Sequence, residues 1–380
     1  MQPLKGLRVL TLEQYGAGPY GTMLLAELGA EVIKVENPVG GDVSRATGPY
    51  YLGADDSQYF QTFSRGKKSV ALDMKTPQGK AGFHELVRSA DAVVNNLRGD
   101  QPAKLGLTYD ALGPVNPKVV CAHLSAYGRG NKREAWPGFD YLMQAEAGFL
   151  YMTGEPEGPP VRFGLSIIDF MTGSIMAVGL LSAVMNARST GKGCDVDAAL
   201  FDTALHQLSY PGVWYLNEKE KAGRLPRGAH PASSPSQLFP TKDGWVMLMA
   251  QNQKFWEDFC RLAGREDLVA DPRFPNPGVR RQNITVLTEV MDAITRTRTT
   301  AEWVALLAGH VPVAPVHDVA QALDNPFIHE IGMVDTVAHP DRPQGLRMLA
   351  CPIRINGERM PGQRAPKLGE HTDELLGKKT

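Results

Sequence analysis

The sequence predicts an α/β fold in which a large Rossmann-like domain, built on a parallel sheet from N- and C-terminal parts of the chain, carries a smaller α+β domain. Three observations predict it. Short runs rich in Val, Ile and Leu alternate with segments of helical period through the first third of the chain. A polar stretch rich in Gly, Pro and Ser, KEKAGRLPRGAHPASSPSQ at 219–237, then breaks the pattern. Beyond it, one strand-like run and three helical patterns follow without the earlier alternation.

The elements follow in order. LRVLTL (7–12) reads as a strand, PYGTMLLAELGA (19–30) as a helix ending near Gly29, and EVIKVE (31–36) as the next strand. KSVALDM (68–74), a helix from about Gly79 to Arg88, DAVVNN (91–96), a helix near Tyr109–Leu112 and KVVCAHLSAYG (118–128) continue the series. Such repetition calls for right-handed crossovers and a parallel sheet covered on both faces. A long helix is predicted at 169–187, and TGKGCDVDAALFDTALHQL after it reads as loop, strand and helix. The small domain takes GWVMLMA (244–250) as a strand, and QKFWEDFCRLAG, ITVLTEVMDAITRT and TAEWVALLAGH as helices. From about 325 the chain is Pro-rich, ends in LGEHTDELL, and is expected to return to the large domain. The expected division is 1–205 for the first part of the large domain, 206–235 as linker, 236–318 as small domain and 319–380 as linker and return.

With 40 basic against 41 acidic residues and no block of like charge, neither a nucleic-acid nor a membrane partner is expected. Cys121, Cys194, Cys260 and Cys351 lie far apart with no C-x-x-C pair, so reduced thiols and no metal site are expected. The start MQPLKGLRVLTLEQ has no apolar signal region, and the longest apolar-and-small run, about Ile175 to Met185, is too short to cross a bilayer. These features predict a cytoplasmic enzyme.

Two short stretches carry candidate chemistry. In GLSIIDFMTGSIMAVGLLSAVMNA (164–187), Asp169 is the one charge before Arg188. It reads either as part of a capping box with Ser166, or as a nucleophile. A carboxylate at a helix N-terminus is expected to stay ionised near neutral pH and can attack an activated carbonyl without a partner base. The second stretch, GAGPYG (16–21), is a literal G-x-G-x-x-G between strand and helix, with Glu36 ending the next strand. Read as a dinucleotide fingerprint, it predicts NAD with its ribose on Glu36. Against this, Pro19 removes a backbone donor, Tyr15 crowds the turn, and no second signature of hydride transfer follows. A glycine turn that lets the helix pack on its strand is the other reading.

Taken together, many segments resemble the type III CoA-transferases, the CaiB/BaiF family, which also includes formyl-CoA and carnitine CoA-transferases. They are PLKGLRVLTLEQYGAGPYGTMLLAELGAEVIKVENPVGGDVSR at the start, RGKKSVALDMKTPQGK (65–80), ADAVVNNLRGD with KLGL (90–107), and NPKVV with LSAYG (116–128). GFDYLMQAEAG with TG (138–154), IIDFMTG (167–173), RSTGKGCDVDAALFD (188–202) and a terminal PKLGEHTDELL complete the match. The order and spacing of these segments, over nearly the whole chain, carry the resemblance.

The resemblance implies a transferase of acyl-CoA metabolism with Asp169 as nucleophile, forming an acyl-aspartyl anhydride and then an aspartyl-CoA thioester. Coenzyme A thioester is then a substrate, and no further cofactor, metal or ATP is needed. It places CoA against Gly16, Ala17, Leu72, Lys75, Asn96, Leu97 and Lys104. Where some members carry a basic residue after KVE this chain has Asn37-Pro38, and Arg45 and Lys34 are candidate substitutes. The family's 2-methylacyl-CoA racemases use a His before the Asp aligned with Asp140; Phe139 stands here, which favours transfer. Asp140 is a candidate to orient Asp169, or a structural helix cap, and His123 reads as a satisfied buried histidine. HPASSPSQ (230–237) replaces the glycine-rich loop of oxalate-using members, leaving Gln237 and Ser234 as candidate hydrogen-bond donors to an acceptor carboxylate. Succinyl-CoA is a candidate donor, and an interlocked homodimer is implied, its linkers at 205–235 and 315–330.

Overall fold

In the computed structural model, which describes residues 1–377, six strands form one parallel sheet. They are β1 (Arg8–Leu12), β2 (Glu31–Glu36), β3 (Lys68–Ala71), β4 (Ala92–Asn95), β5 (Val120–Ser125) and β6 (Asp195–Ala199). Their order is β3-β2-β1-β4-β5-β6, and every neighbouring pair is parallel. Every residue of β4 and β5 is buried, as strands covered on both faces must be. One side of the sheet packs Leu10, Ile33, Val70, Val93 and Cys121 against Phe83 and Leu86 of the Pro77–Val87 helix. That helix starts where its residues favour a start, with Thr76 Oγ1 accepting from Gly79 N (3.0 Å) and proline in the first turn.

The strand order reverses between β1 and β4. From β1 the chain winds outward to β2 and β3, then crosses back to build β4, β5 and β6 on the other side. In such a sheet the crevice beyond the carboxyl ends of β1 and β4 is where a ligand finds room between diverging connections.

The long helix runs Ile167–Thr190, two residues earlier and three later than its apolar run suggests, and ends on Gly191 in the left-handed region (φ 78°). Its 24 residues correct the expectation from Ile175–Met185: by length and composition it is the one helix among the described residues that meets the measure of a membrane span. Ser, Thr and Gly within it interrupt the apolar run without interrupting the helix. Its buried face packs on the Ala17–Glu27 helix at paired glycines. A Cβ on Gly21 would stand 2.3 Å from the Gly173 carbonyl oxygen, and one on Gly173 would stand 2.4 Å from that of Ala17. The two helices therefore meet backbone to backbone.

The chain divides into two units. The first holds Met1–Ala147, Phe163–Glu218 and the chain from Pro326 onward; the second holds Gly148–Arg162 and Lys219–Asn325. In the first, the returning chain reaches β3: His371 N donates to Ser69 O (2.9 Å) and Lys68 Nζ pairs with Glu374 (2.6 Å). Of the predicted return, residues 378–380 lie outside the described residues. The second unit is α+β, an antiparallel sheet of β7 (Ser236–Pro240), β8 (Trp245–Met249) and β9 (Val313–Pro315) over helices Gln253–Leu262, Ile284–Thr295 and Thr300–Leu307. Phe239, Trp256, Phe259, Leu287 and Trp303 fill its core. The strip 148–162, which carries the Gly- and Pro-rich run GEPEGPP (154–160), also belongs to this unit.

Candidate active site

Asp169 lies in the first turn of the long helix. The expected capping box with Ser166 does not form: Ser166 holds the cap position but its side chain makes no capping bond. The acceptor comes instead from Asp140, the first residue of the Asp140–Glu146 helix. Asp140 Oδ2 accepts from Ile168 N (2.6 Å) and from Asp169 N (3.0 Å), and Oδ1 accepts from Gln144 Nε2 (2.5 Å). A tertiary cap has displaced the local one, because Asp140 is 2% exposed and brings a full carboxylate to the orphan amides.

The Asp169 carboxylate rests on the backbone of Gly16. A Cβ there would stand 2.8 Å from Asp169 Oδ2, so only glycine leaves the approach open. Burial pushes the Asp169 carboxyl up to about 7, and the negative charge of Asp140 adds to the rise. This corrects the expectation of a carboxylate fully ionised at neutral pH. The helix start favours the anion, but the enclosed position and the neighbouring acid disfavour it more strongly.

In front of this pair lies a cavity of about 330 Å³. Gln14 to Ala17 line it from the end of β1, Asn96 to Arg98 from the end of β4, and Ser125 and Ala126 from the end of β5; Trp136 to Phe139, Asp169 and Leu200 complete the wall. It sits at the point where the strand order reverses.

Of the residues expected to hold CoA, Gly16, Ala17, Asn96 and Leu97 share this wall with Asp169. Asn96 is tied at both ends of its amide to Gln14, accepting from its N–H (2.9 Å) and donating to its carbonyl (2.6 Å), and so fixes the loop after β1. Leu72 is buried in the apolar core beneath the sheet, and Lys75 is exposed. Lys104 is exposed and paired with Asp100 (2.6 Å), which also takes Arg98 (2.6 Å).

Lys34 and Arg45, the candidate substitutes for a phosphate-binding base, are closed to that role. Lys34 is fully buried between Asp42 (2.7 Å) and the Glu13 carbonyl (2.7 Å). Arg45 is 1% exposed and holds Glu36 through Nε (2.8 Å) and Nη2 (2.7 Å). Glu36 also accepts from Ser69 Oγ (2.6 Å), so it has no oxygen to offer a ribose, and the dinucleotide reading of GAGPYG fails there. The stretch does what its alternative reading proposed: its glycines admit close packing. Beneath it, Lys67 binds Glu13 (2.6 Å) and the Pro19 carbonyl (3.0 Å), and burial lowers the Lys67 ammonium to about 8. These buried charges are paired, and they hold the loop that faces Asp169.

Gln237 and Ser234 belong to the second unit, 1% and 2% exposed. Gln237 Nε2 donates to Thr288 Oγ1 (3.1 Å) and the Ser234 carbonyl accepts from Arg280 Nε (3.4 Å), while Gln237 Oε1 and Ser234 Oγ are buried without a hydrogen-bond partner among the described residues. His123 is buried between Asn95 Nδ2 (2.8 Å) and Asp195 (2.8 Å), satisfied at both nitrogens.

Sequence reasoning missed an aromatic surround. Tyr59, on the Gln58–Ser64 helix, has its phenol raised first by burial and next by the charge of Asp169. Its ring leads through Phe63 to Phe170, at centroid distances of 5.2 and 5.8 Å. Tyr15 lines the cavity from a left-handed backbone position (φ 61°), and Trp136 lines it with the Arg133 guanidinium 4.7 Å over its ring. Single aromatic residues drawn from separate helices and loops leave no periodic trace.

The family model for CoA-transferase family III matches residues 4–372. The chain is 36% identical to the succinyl-CoA:mesaconate CoA-transferase of Haloarcula hispanica, over 99% of this chain and 96% of that protein. It is 32% identical to the succinate–glutarate CoA-transferase of Agrobacterium fabrum, over 98% and 95%. The crystal structure of a CaiB/BaiF family protein from Brucella suis superposes with a TM-score of 0.85 at 31% identity, over 98% of each chain.

Proposed function

The chain belongs to CoA-transferase family III, and from that premise we propose that it moves CoA from an acyl-CoA donor to a carboxylic acid through covalent intermediates on Asp169. The observation that carries the reading is the Asp169 carboxylate seated on Gly16 at the wall of the switch-point cavity.

An Asp169 oxygen attacks the thioester carbonyl. The C–S bond breaks, leaving an acyl-aspartyl anhydride and CoA thiolate. The thiolate then attacks the aspartyl carbonyl, the donor acid departs with its carboxylate, and an aspartyl-CoA thioester remains. An incoming carboxylate reverses the two steps and leaves as the new acyl-CoA, while Asp169 regains a carboxylate. The thioester's free energy is kept throughout, so the proposal needs no ATP, metal or further cofactor. The first-turn amides of the Ala17–Glu27 helix lie beside Asp169 and suit the oxyanion that forms at each attack.

Both named relatives use succinyl or succinate with a second dicarboxylic acid. We therefore take succinyl-CoA as donor and a dicarboxylate as acceptor, in a cytoplasmic, interlocked homodimer. Racemisation is not adopted: Phe139, 66% exposed on the cavity wall, has no proton to exchange. The test is Asp169→Ala assayed for CoA exchange between succinyl-CoA and a panel of acids. Loss of turnover with unchanged CoA affinity supports the reading; retained turnover overturns it.

A further inference from the structure

Two carboxylates share one helix start, and covalent transfer alone does not require the second. A cap needs a polar oxygen, and neutral Asn or Ser caps a helix as well as Asp does. Here the cap is Asp140, buried and clamped. Its Oδ2 accepts from the N–H of Asp169 itself (3.0 Å) and its Oδ1 from Gln144 Nε2 (2.5 Å). Gln144 is fixed in turn, accepting from Phe163 N (3.0 Å) and donating to the Leu165 carbonyl (3.2 Å). The carboxylate of Asp140 is thus held within one residue of the Asp169 carboxylate.

We propose that Asp140 is a positioning residue that aims Asp169 at the cavity and, through its charge, drives CoA onto it. This rests on the covalent reading above. In the free enzyme Asp169 carries a negative charge beside that of Asp140. When the Asp169 oxygen has attacked, the C–S bond has broken and the thiolate has displaced the donor acid, Asp169 is a neutral thioester. The negative charge has left with the acid. Repulsion by Asp140 opposes the first state and not the second, so it shifts the equilibrium toward aspartyl-CoA and keeps the free carboxylate basic and nucleophilic. Among the described residues Tyr59, from the Gln58–Ser64 helix, also faces Asp169, with Asp42, Tyr15 and Tyr141 acting on it in turn. The upward displacement of Asp169, second in cause to burial, runs in the direction this requires.

The full-length protein, incubated at a fixed ratio of succinyl-CoA to succinate and quenched, gives the ratio of CoA-modified to free chain by intact mass. D140N keeps a capping oxygen and removes the charge. It is expected to lower that ratio at pH 8 by about tenfold, and to move the acid midpoint of the acylation rate down by about one pH unit. D140A, which loses the cap as well, is expected to show the same two shifts together with a lower melting temperature. A wild-type chain that labels beside a D140N chain with the same ratio and midpoint overturns the proposal, whatever the rate of D140N. A wild-type chain that never labels overturns the covalent reading and this inference with it.

Discussion

At the level of single residues, the candidate site depends on which carboxylate is alone and which is accompanied. Asp169 could be picked out of the sequence because nothing else in its apolar run is charged, and the resemblance gave it a role. Its ionisation could not be read there. A helix start suggests an anion, but enclosure and Asp140, 29 positions earlier in the chain, push the group up to about 7. Because the folded value lies above the ordinary one, folding favours the protonated acid. The penalty on stability is absent below the usual carboxylate range, grows as pH rises toward 7 and is complete above it. Asp169→Asn is therefore expected to stabilise the protein at pH 8 by about 1–3 kcal/mol and to change little at pH 4. Urea unfolding at the two pH values checks this, and equal effects at both would contradict the burial account.

Between elements, the register of two helices places the nucleophile. Gly21 and Gly173 let the Ala17–Glu27 helix and the long helix touch, and one turn before Gly173 the same contact lays Asp169 on Gly16. GAGPYG thus supplies packing, and its match to a dinucleotide fingerprint reflects a shared need for a backbone without side chains. Sequence pattern located β1, β2 and β4 to within a residue, since their runs are apolar and short, and ran β3 and β5 on into the loops that follow them. It missed which glycine faces which, because that depends on the crossing of segments 150 residues apart. Gly173→Val is expected to push the helices apart, cost about 2–3 kcal/mol and lower kcat by about 100-fold, since a displacement near 1 Å suffices. Thermal melts and steady-state kinetics test it; wild-type kcat in a folded variant would show that the contact does not place Asp169.

For the whole molecule, the first unit is assembled from three stretches of chain. The alternating pattern revealed the opening stretch, and the Pro-rich ending hinted at the return. The strip 148–162 was not assigned because its Gly- and Pro-rich run, GEPEGPP (154–160), marks a loop without saying which unit that loop joins. The returning chain closes the outer edge of the sheet: Arg45 donates to the Pro366 carbonyl (3.2 Å), and Gly369 N donates to Ser69 Oγ (2.9 Å), beside the Glu36 carboxylate. A chain ending at Asn325 would leave the fully buried Arg45–Glu36 pair without those neighbours. It is expected to lose cooperative unfolding, as followed by circular dichroism in urea; a full-strength cooperative transition would show that the first unit is complete without its return.

All three scales converge on one bond, formed at the Asp169 carboxylate during transfer. The most direct measurement is mass spectrometry of the protein incubated with succinyl-CoA, trapped with hydroxylamine and mapped by peptide. The account predicts a hydroxamate confined to the peptide that carries Asp169, appearing only with the acyl-CoA and absent from Asp169→Ala. Turnover of succinyl-CoA with no trapped adduct on that peptide, or an adduct on another residue, would contradict it.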